Sequence, residues 1–299
     1  MSAGGLEVAF FGTGPFGLDS LEALKNSRHR LTRVFTSPDR PRGRGLESRP
    51  SPVKAWAQAN GVPALSPEKP DTPEALAALG RPDVLVVIDY GHILRRGLLE
   101  IPRLAALNVH ASLLPRHRGA APVQWALIEG DAETGVSVIR MTEKLDAGDV
   151  VAQRKREIRG SDDAATLEKA LAADGAVALL EALDRLEDGT AVFTPQDPAR
   201  ATTARKLTKS DGRVDWTLSA DRVLGRLRAL KEWPGSHASY GSSRLILLEA
   251  RPASGSARPG EILKASPKEG LVVACGQGAV EITRLQAEGR KPLEAREFV

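Results

Sequence analysis

Val84-Leu85-Val86-Val87-Ile88 contains no polar side chain, so a strand built from it must be covered on both faces. Two-faced burial calls for a mostly parallel sheet with helices packed on either side. Further strand candidates are the apolar runs Leu6 to Phe11 and Leu104 to Val109 and the segments Leu31 to Thr36, Thr134 to Met141 and Asp149 to Lys155. The last two can pair as antiparallel neighbours.

Helical patterns lie between these runs. One passes through Leu18, Leu21 and Leu24. Ser51-Pro52 and Thr72-Pro73 each combine an N-cap side chain with proline at the first helical position. Pro122 to Glu129 is a short helix. Asp162 or Asp163 caps a long one, with Leu167, Leu171, Val177, Leu180 and Leu183 as its apolar positions and Asp188-Gly189 as its end. Strand and helix alternate through residue 190, which predicts an α/β, Rossmann-like, doubly wound domain over 1–190. Residues 191–206 hold prolines and small polar residues and read as a linker. After Ser219, which caps a helix through Val223, Leu224, Leu227 and Leu230, come five short strand candidates: Ser236–Tyr240, Arg244–Ala250, Gly260–Lys264, Leu271–Cys275 and Ala279–Leu285. They predict a small OB-like β-barrel over 207–299.

No apolar stretch approaches the roughly 20 residues that a membrane helix needs, and Met1 to Gly14 has no secretory pattern. Cys275 is the sole cysteine, which excludes an internal disulfide or a multi-thiolate zinc site and suits a cytoplasmic protein. Net charge is only +4. Its distribution says more: between Arg200 and Lys231 nine basic residues stand against three acidic ones, the footprint of a polyanion partner.

Gly12-Thr13-Gly14-Pro15-Phe16-Gly17 satisfies G-x-G-x-x-G in form. The second strand ends in Ser37-Pro38, without the acidic residue that a dinucleotide site wants there. The glycines read better as a tight strand-to-helix turn, and a nicotinamide-dependent dehydrogenase is the weaker alternative. Ser37 to Pro52 is a long Pro/Gly/Arg loop without period, and loops of that length are functional or disordered.

The chemistry gathers at two strand ends. Asn108 and His110 are spaced i, i+2 and so share one side of a strand. Ligands of such sheets bind beyond the carboxyl ends of the strands. Asp146 lies in the turn Leu145-Asp146-Ala147-Gly148-Asp149 after another strand. An amide, an imidazole and a carboxylate form a proton-transfer set.

Asn108-Val109-His110, Ser112-Leu113-Leu114-Pro115, Arg118-Gly119-Ala120-Ala121-Pro122 and Leu145-Asp146-Ala147-Gly148-Asp149 together resemble the 10-formyltetrahydrofolate-dependent formyltransferases, most closely the branch that formylates methionyl-tRNA. The resemblance runs from Val8 to about Gly235. It implies a Rossmann-like catalytic domain with a C-terminal barrel, 10-formyltetrahydrofolate as formyl donor, initiator Met-tRNA as partner and no metal. Asn108, His110 and Asp146 take the catalytic places.

Formyl transfer is acyl transfer to an amine, and the residues suit it. His110 would take the amine's proton and return one to the leaving nitrogen. Asp146 would fix its tautomer and favour its charged form, and the Asn108 amide would donate to the developing oxyanion. By resemblance, Ser112, Leu113, Leu114 and Pro115 line the folate site, with Ile88, Asp89, Tyr90 and Gly91 walling the pteridine pocket through backbone groups. Asp89 departs from the family, which has a small residue there.

His117, between two arginines, reads as an exposed loop residue. Contacts with tRNA are expected from Arg40, Arg42, Arg44 and Arg49 of the long loop and from Lys206 and Lys209. Arg44 is the arginine that resemblance sends to the acceptor end. Leu46-Glu47-Ser48 departs from the lysines common in relatives. A formyltransferase of small amines, such as glycinamide ribonucleotide or an amino sugar, needs neither loop nor barrel and is the nearer alternative. The expected state is a cytoplasmic monomer with no membrane association.

Overall fold

The computed structural model describes residues 4–42, 47–241 and 243–299, without side-chain placement at 40–42 and 47–48. It divides into two compact units: one of Met1–Gly119, Thr134–Glu157 and Glu168–Thr203, the other of Ala120–Glu133, Ile158–Leu167 and Ala204–Val299.

The first unit is built on a seven-stranded sheet in the order Val150–Glu157, Glu133–Arg140, Ala105–His110, Val84–Ile88, Glu7–Gly12, Arg30–Phe35, Ala64–Leu65. The last five are parallel, and Glu133–Arg140 runs antiparallel to Ala105–His110. Register explains the uniform apolar runs. Ala9 pairs Leu85 and Phe11 pairs Val87, and these four share one core with Leu79, Leu94 and Leu98 from the helices Pro73–Leu79 and Arg96–Leu99 and the turn before the latter. Phe11 stacks on Phe35 with ring centroids 4.4 Å apart. On the opposite face the helix Ala164–Glu187 brings Gly175 against Val109. Phe10, Phe11 and Phe35 are fully buried, each contributing about 1.5–3 kcal/mol.

The sequence-predicted caps form. Ser51 accepts from the Lys54 amide at 3.0 Å, Thr72 from Ala75 at 3.3 Å and Ser219 from Arg222 at 3.4 Å. In the long helix Val177 is exposed, and Ala178, Leu179, Ala182 and Leu183 carry the buried face. Part of the long arginine loop is ordered as a two-stranded ladder: Arg40–Arg42 pairs with Glu47–Arg49, Arg40 opposite Arg49 and Arg42 opposite Glu47. Gly43, Arg44, Gly45 and Leu46 lie outside the described residues.

The second unit carries an antiparallel sheet in the order Ser236–Tyr240, Ser243–Ala253, Ala279–Ala287, Gly270–Ala274, Ile262–Ser266, with Leu293–Glu294 also pairing Ala279–Ala287. The five candidate strands are present. Ser243–Ala253 runs longer than expected because register shifts around Glu249 let it bend and continue. Val223 and Leu227 of the helix Ala220–Ala229 close the core against Leu245, Val273, Val280 and Ile282. Trp216 packs against this core, whereas Trp233 is half exposed. Gly225 faces the helix Pro122–Ile128, also of this unit: a Cβ there would come 2.5 Å from the Leu127 carbonyl oxygen.

Candidate active site

Asn108 and His110 sit at the carboxyl end of the Ala105–His110 strand on one side of it, as their spacing requires. His110 is buried. Its Nε2 lies 2.9 Å from the His117 carbonyl oxygen. A carbonyl only accepts, so Nε2 carries the proton and donates. The lone pair of the neutral ring is therefore on Nδ1, which faces Asp146 Oδ2 at 3.7 Å. The Gly119 amide donates to the same carboxylate oxygen at 2.8 Å. Asp146 holds a left-handed backbone conformation, φ 49°, that turns its side chain back toward the strand ends.

This geometry revises two expectations. The His117 carbonyl, rather than Asp146, sets the His110 tautomer. His117 itself is buried, with φ 57°, and its amide donates to Thr202 Oγ1 at 2.8 Å. Flanking arginines suggested exposure, but the polar tether to Thr202 and the hydrogen bond to His110 fold the residue inward. The Asn108 amide has no hydrogen-bond partner among the described residues and remains available to a ligand.

The Ser112–Pro115 segment is braced from the neighbouring strands. Ser137 Oγ donates to the Ser112 carbonyl at 2.7 Å and accepts from the Leu114 amide at 3.0 Å, and Gln153 Nε2 donates to the Leu114 carbonyl at 3.1 Å. Ser112 and Leu114 are buried by this bracing. Their side chains shape the loop, while Leu113 and Pro115 keep half-exposed surface.

Of the proposed pteridine wall, Ile88 and Tyr90 bury their side chains in the core. Tyr90 packs edge-on to Phe11 at 5.1 Å, and burial pushes its phenol up to about 12. Its carbonyl accepts from Thr13 Oγ1 at 3.0 Å and Ser37 Oγ at 3.2 Å. Gly91 follows at φ 83° and is exposed. Asp89 leaves the strand at φ 49°. Its carboxylate lies over the first glycine turn, where a Cβ on Gly14 would come within 1.6 Å of Oδ2. Much of the residue faces outward, yet loss of water around the carboxyl raises it above the ordinary range. A carboxylate at that turn repels the pyrophosphate that a dinucleotide would place there, which argues against the dehydrogenase alternative.

Two matches then decide the family. Residues 6–183 fit the model "Formyl transferase", and residues 206–299 fit "Formyl transferase, C-terminal domain". The chain is 49% identical to the methionyl-tRNA formyltransferase of Anaeromyxobacter dehalogenans over 95% of its length and 93% of the relative's. It is 45% identical to that of Pseudomonas syringae pv. tomato, over 96% and 92%.

The chain belongs to the methionyl-tRNA formyltransferase family.

Solved structures agree on the fold. The sugar 3N-formyl transferase WlaRD superposes with a TM-score of 0.71 at 14% identity, covering 96% of this chain and 99% of that one. HypX from Aquifex aeolicus, in complex with tetrahydrofolic acid, gives 0.62 at 20%, over 99% and 47%. Within the family's scaffold, Lys206 and Lys209 are exposed and have no ion-pair partner among the described residues. Arg205 instead grips Asp211 and lies 4.9 Å from the Trp125 ring.

Sequence reasoning missed the structural part of His117 and placed Gln196 in a linker. Gln196 Nε2 donates to the Asp146 carbonyl at 2.8 Å and the Gly148 carbonyl at 2.7 Å. One of two polar residues between Pro195 and Pro198, it carries no periodic signal that could have marked it.

Proposed function

We propose that the chain transfers the formyl group of 10-formyltetrahydrofolate to the α-amino group of methionine on initiator tRNA, so that protein synthesis can start. The observation that carries this is the near full-length match to methionyl-tRNA formyltransferases, both family segments included. The geometry of the Asn108, His110 and Asp146 set supports the assigned roles. His110 accepts the amine's proton at Nδ1, the ring atom left with a lone pair by the His117 carbonyl. The Asp146 carboxylate lies 3.7 Å from that nitrogen, beside the ring that takes up the proton. The Asn108 amide donates to the oxygen that gains charge during transfer.

The folate donor is expected against Leu113, Pro115 and the backbone from Ile88 to Gly91. The tRNA is expected to engage Arg40, Arg42, Arg44 and Arg49 together with Lys206 and Lys209. In this reading residues 1–190 carry the chemistry, 191–206 link, and 207–299 serve tRNA. Among the described residues no helix is long and apolar enough to cross a membrane. We take the working form to be a cytoplasmic monomer, which size-exclusion chromatography with light scattering checks.

The deciding experiment is formyl transfer from 10-formyltetrahydrofolate to Met-tRNA, run beside glycinamide ribonucleotide and UDP-amino sugars. Turnover with Met-tRNA alone supports the reading. Preference for a small amine would overturn it.

A further inference from the structure

Gln196 makes every hydrogen bond its side chain can make, and all of them bear on the Asp146 turn. Its amide nitrogen donates to the carbonyls of Asp146 and Gly148 at 2.8 and 2.7 Å. Its amide oxygen accepts from Arg118 Nε at 3.1 Å and Nη2 at 2.7 Å. The orientation of the amide follows from chemistry, since carbonyls only accept and a guanidinium only donates. The segment that carries Gln196 is itself tied down two residues earlier. Thr194 and Val150 exchange two hydrogen bonds at 2.8 and 2.9 Å, which ties the segment to the start of the Val150–Glu157 strand.

Asp146 needs such a hold. Its φ of 49° is a conformation that a non-glycine residue leaves readily unless its surroundings enforce it. Its neighbour Ala147 has only a long turn bond to the Lys144 carbonyl, 3.3 Å. Among the described residues the shortest hydrogen bonds to the backbone of this turn are the two from Gln196, ahead of that from the Arg140 amide to the Asp149 carbonyl at 2.9 Å. Arg118 lies one residue before Gly119, whose amide holds the Asp146 carboxylate. Gln196 thus joins the main chain of Asp146 to the segment that binds its side chain.

We propose that Gln196 is a positioning residue for formyl transfer: it clamps the Asp146 turn to Arg118 so that the carboxylate faces Nδ1 of His110. The inference rests on the catalytic roles given under Proposed function. Releasing the clamp lets the turn relax and the carboxylate drift from the ring. A displacement on the order of 1 Å costs up to about a hundredfold in rate.

The test uses Gln196→Leu, Gln196→Glu and Asp146→Asn in the full chain, alone and combined. Gln196→Leu should lower kcat roughly ten- to hundredfold, with KM for Met-tRNA within about twofold, because the clamp touches no substrate. Added to Asp146→Asn, it should lower kcat by less than about twofold, as expected for residues acting as one unit. Gln196→Glu guards against a folding artefact. It keeps a partner for Arg118 but turns a carboxylate oxygen toward two carbonyls, and its thermal midpoint, measured beside kcat, establishes that it is folded at the assay temperature. Its kcat should fall at least as far as that of the Leu variant.

A folded Gln196→Leu with normal kcat overturns the proposal, and so does a loss that multiplies fully with Asp146→Asn. Asp146→Asn with near-normal turnover would instead remove the catalytic reading itself, and the proposal with it. Loss in Asp146→Asn without loss in Gln196→Leu leaves the reading intact and rejects only the clamp.

Discussion

The His117 carbonyl oxygen lies 2.9 Å from Nε2 of His110, and this one contact decides which ring nitrogen is the base. It also separates two consequences of changing His110. His110→Ala removes the base and leaves a buried carbonyl without its donor, which costs about 1–3 kcal/mol of stability. His110→Gln removes the base but retains an N–H able to reach that carbonyl. Both should lose roughly 10²–10⁴ in kcat, and only the Ala variant should lose stability. Steady-state kinetics beside thermal unfolding checks both halves. Near-normal turnover in either folded variant would end the mechanism.

Asn108→Ala should reduce kcat roughly 10²–10³-fold, the usual cost of an oxyanion donor, with little change in stability, because its amide has no protein partner to lose among the described residues. Combined with His110→Gln it should fall far less than the product of the two single losses. Kinetics on the single and double variants decides this, and full multiplication would mean that the two act in separate steps.

Asp211 predicts an acid-sensitive second unit. Arg205 donates to both of its oxygens, at 2.8 and 2.5 Å, and the Thr208 amide and hydroxyl add bonds at 2.7 and 2.8 Å. The Arg205 bonds first, then those of Thr208, hold the carboxyl well below the ordinary carboxylate range. A depressed folded pKa stabilises the fold above the unfolded value of about 3.9 and ceases to as pH falls through the folded one. Asp211→Asn should therefore lower Tm at pH 7, with the gap closing below about pH 4. Thermal melts at pH 7 and pH 3 test this, and a constant gap would contradict it.

Asp89 carries the opposite sign. Desolvation raises its carboxyl, so the charged form costs stability at neutral pH and the cost fades as the group protonates. Asp89→Asn should melt higher than the parent at pH 7 and equally below about pH 4. An Asn variant that melts lower at pH 7 would show that the carboxylate has a favourable partner in solution.

The arginine loop is tested on tRNA. Arg42→Ala and Arg49→Ala should weaken binding modestly, each reducing the salt slope by about one. Arg44→Ala should cost more and erode discrimination between initiator and elongator tRNA. Kinetics on both tRNAs at two salt concentrations separates the outcomes, and unchanged values for Arg44→Ala would leave the loop without a recognition role.

What the sequence made legible follows from how local each signal is. Val84–Ile88 announces itself because burial on both faces removes every polar residue. Ser51, Thr72 and Ser219 announce helix starts because a cap acts within three residues. That Asn108 and His110 share one side of their strand was visible through alternation alone. The ladder of Arg40–Arg42 with Glu47–Arg49 was not, since its pairing is carried by backbone groups that any residue supplies. His117 and Gln196 were missed for a related reason. Each matters through a main-chain carbonyl that it offers or holds, and carbonyls leave no mark in the letters.

Gly225 and Leu127 have a bearing on how such genes can recombine. The chain enters and leaves the second unit at Gly119–Ala120, Glu133–Thr134, Glu157–Ile158, Leu167–Glu168 and Thr203–Ala204. A chimaera joined at Thr203–Ala204 looks like a clean exchange, but it parts Gly225 from the native Leu127 helix. A donor tail with alanine at that site would bring a methyl group 2.5 Å from a carbonyl oxygen fixed in helical backbone. Such a tail is compatible only with a host whose helix sits farther away, so inheritance of the tail is tied to residues 120–133 of its own parent.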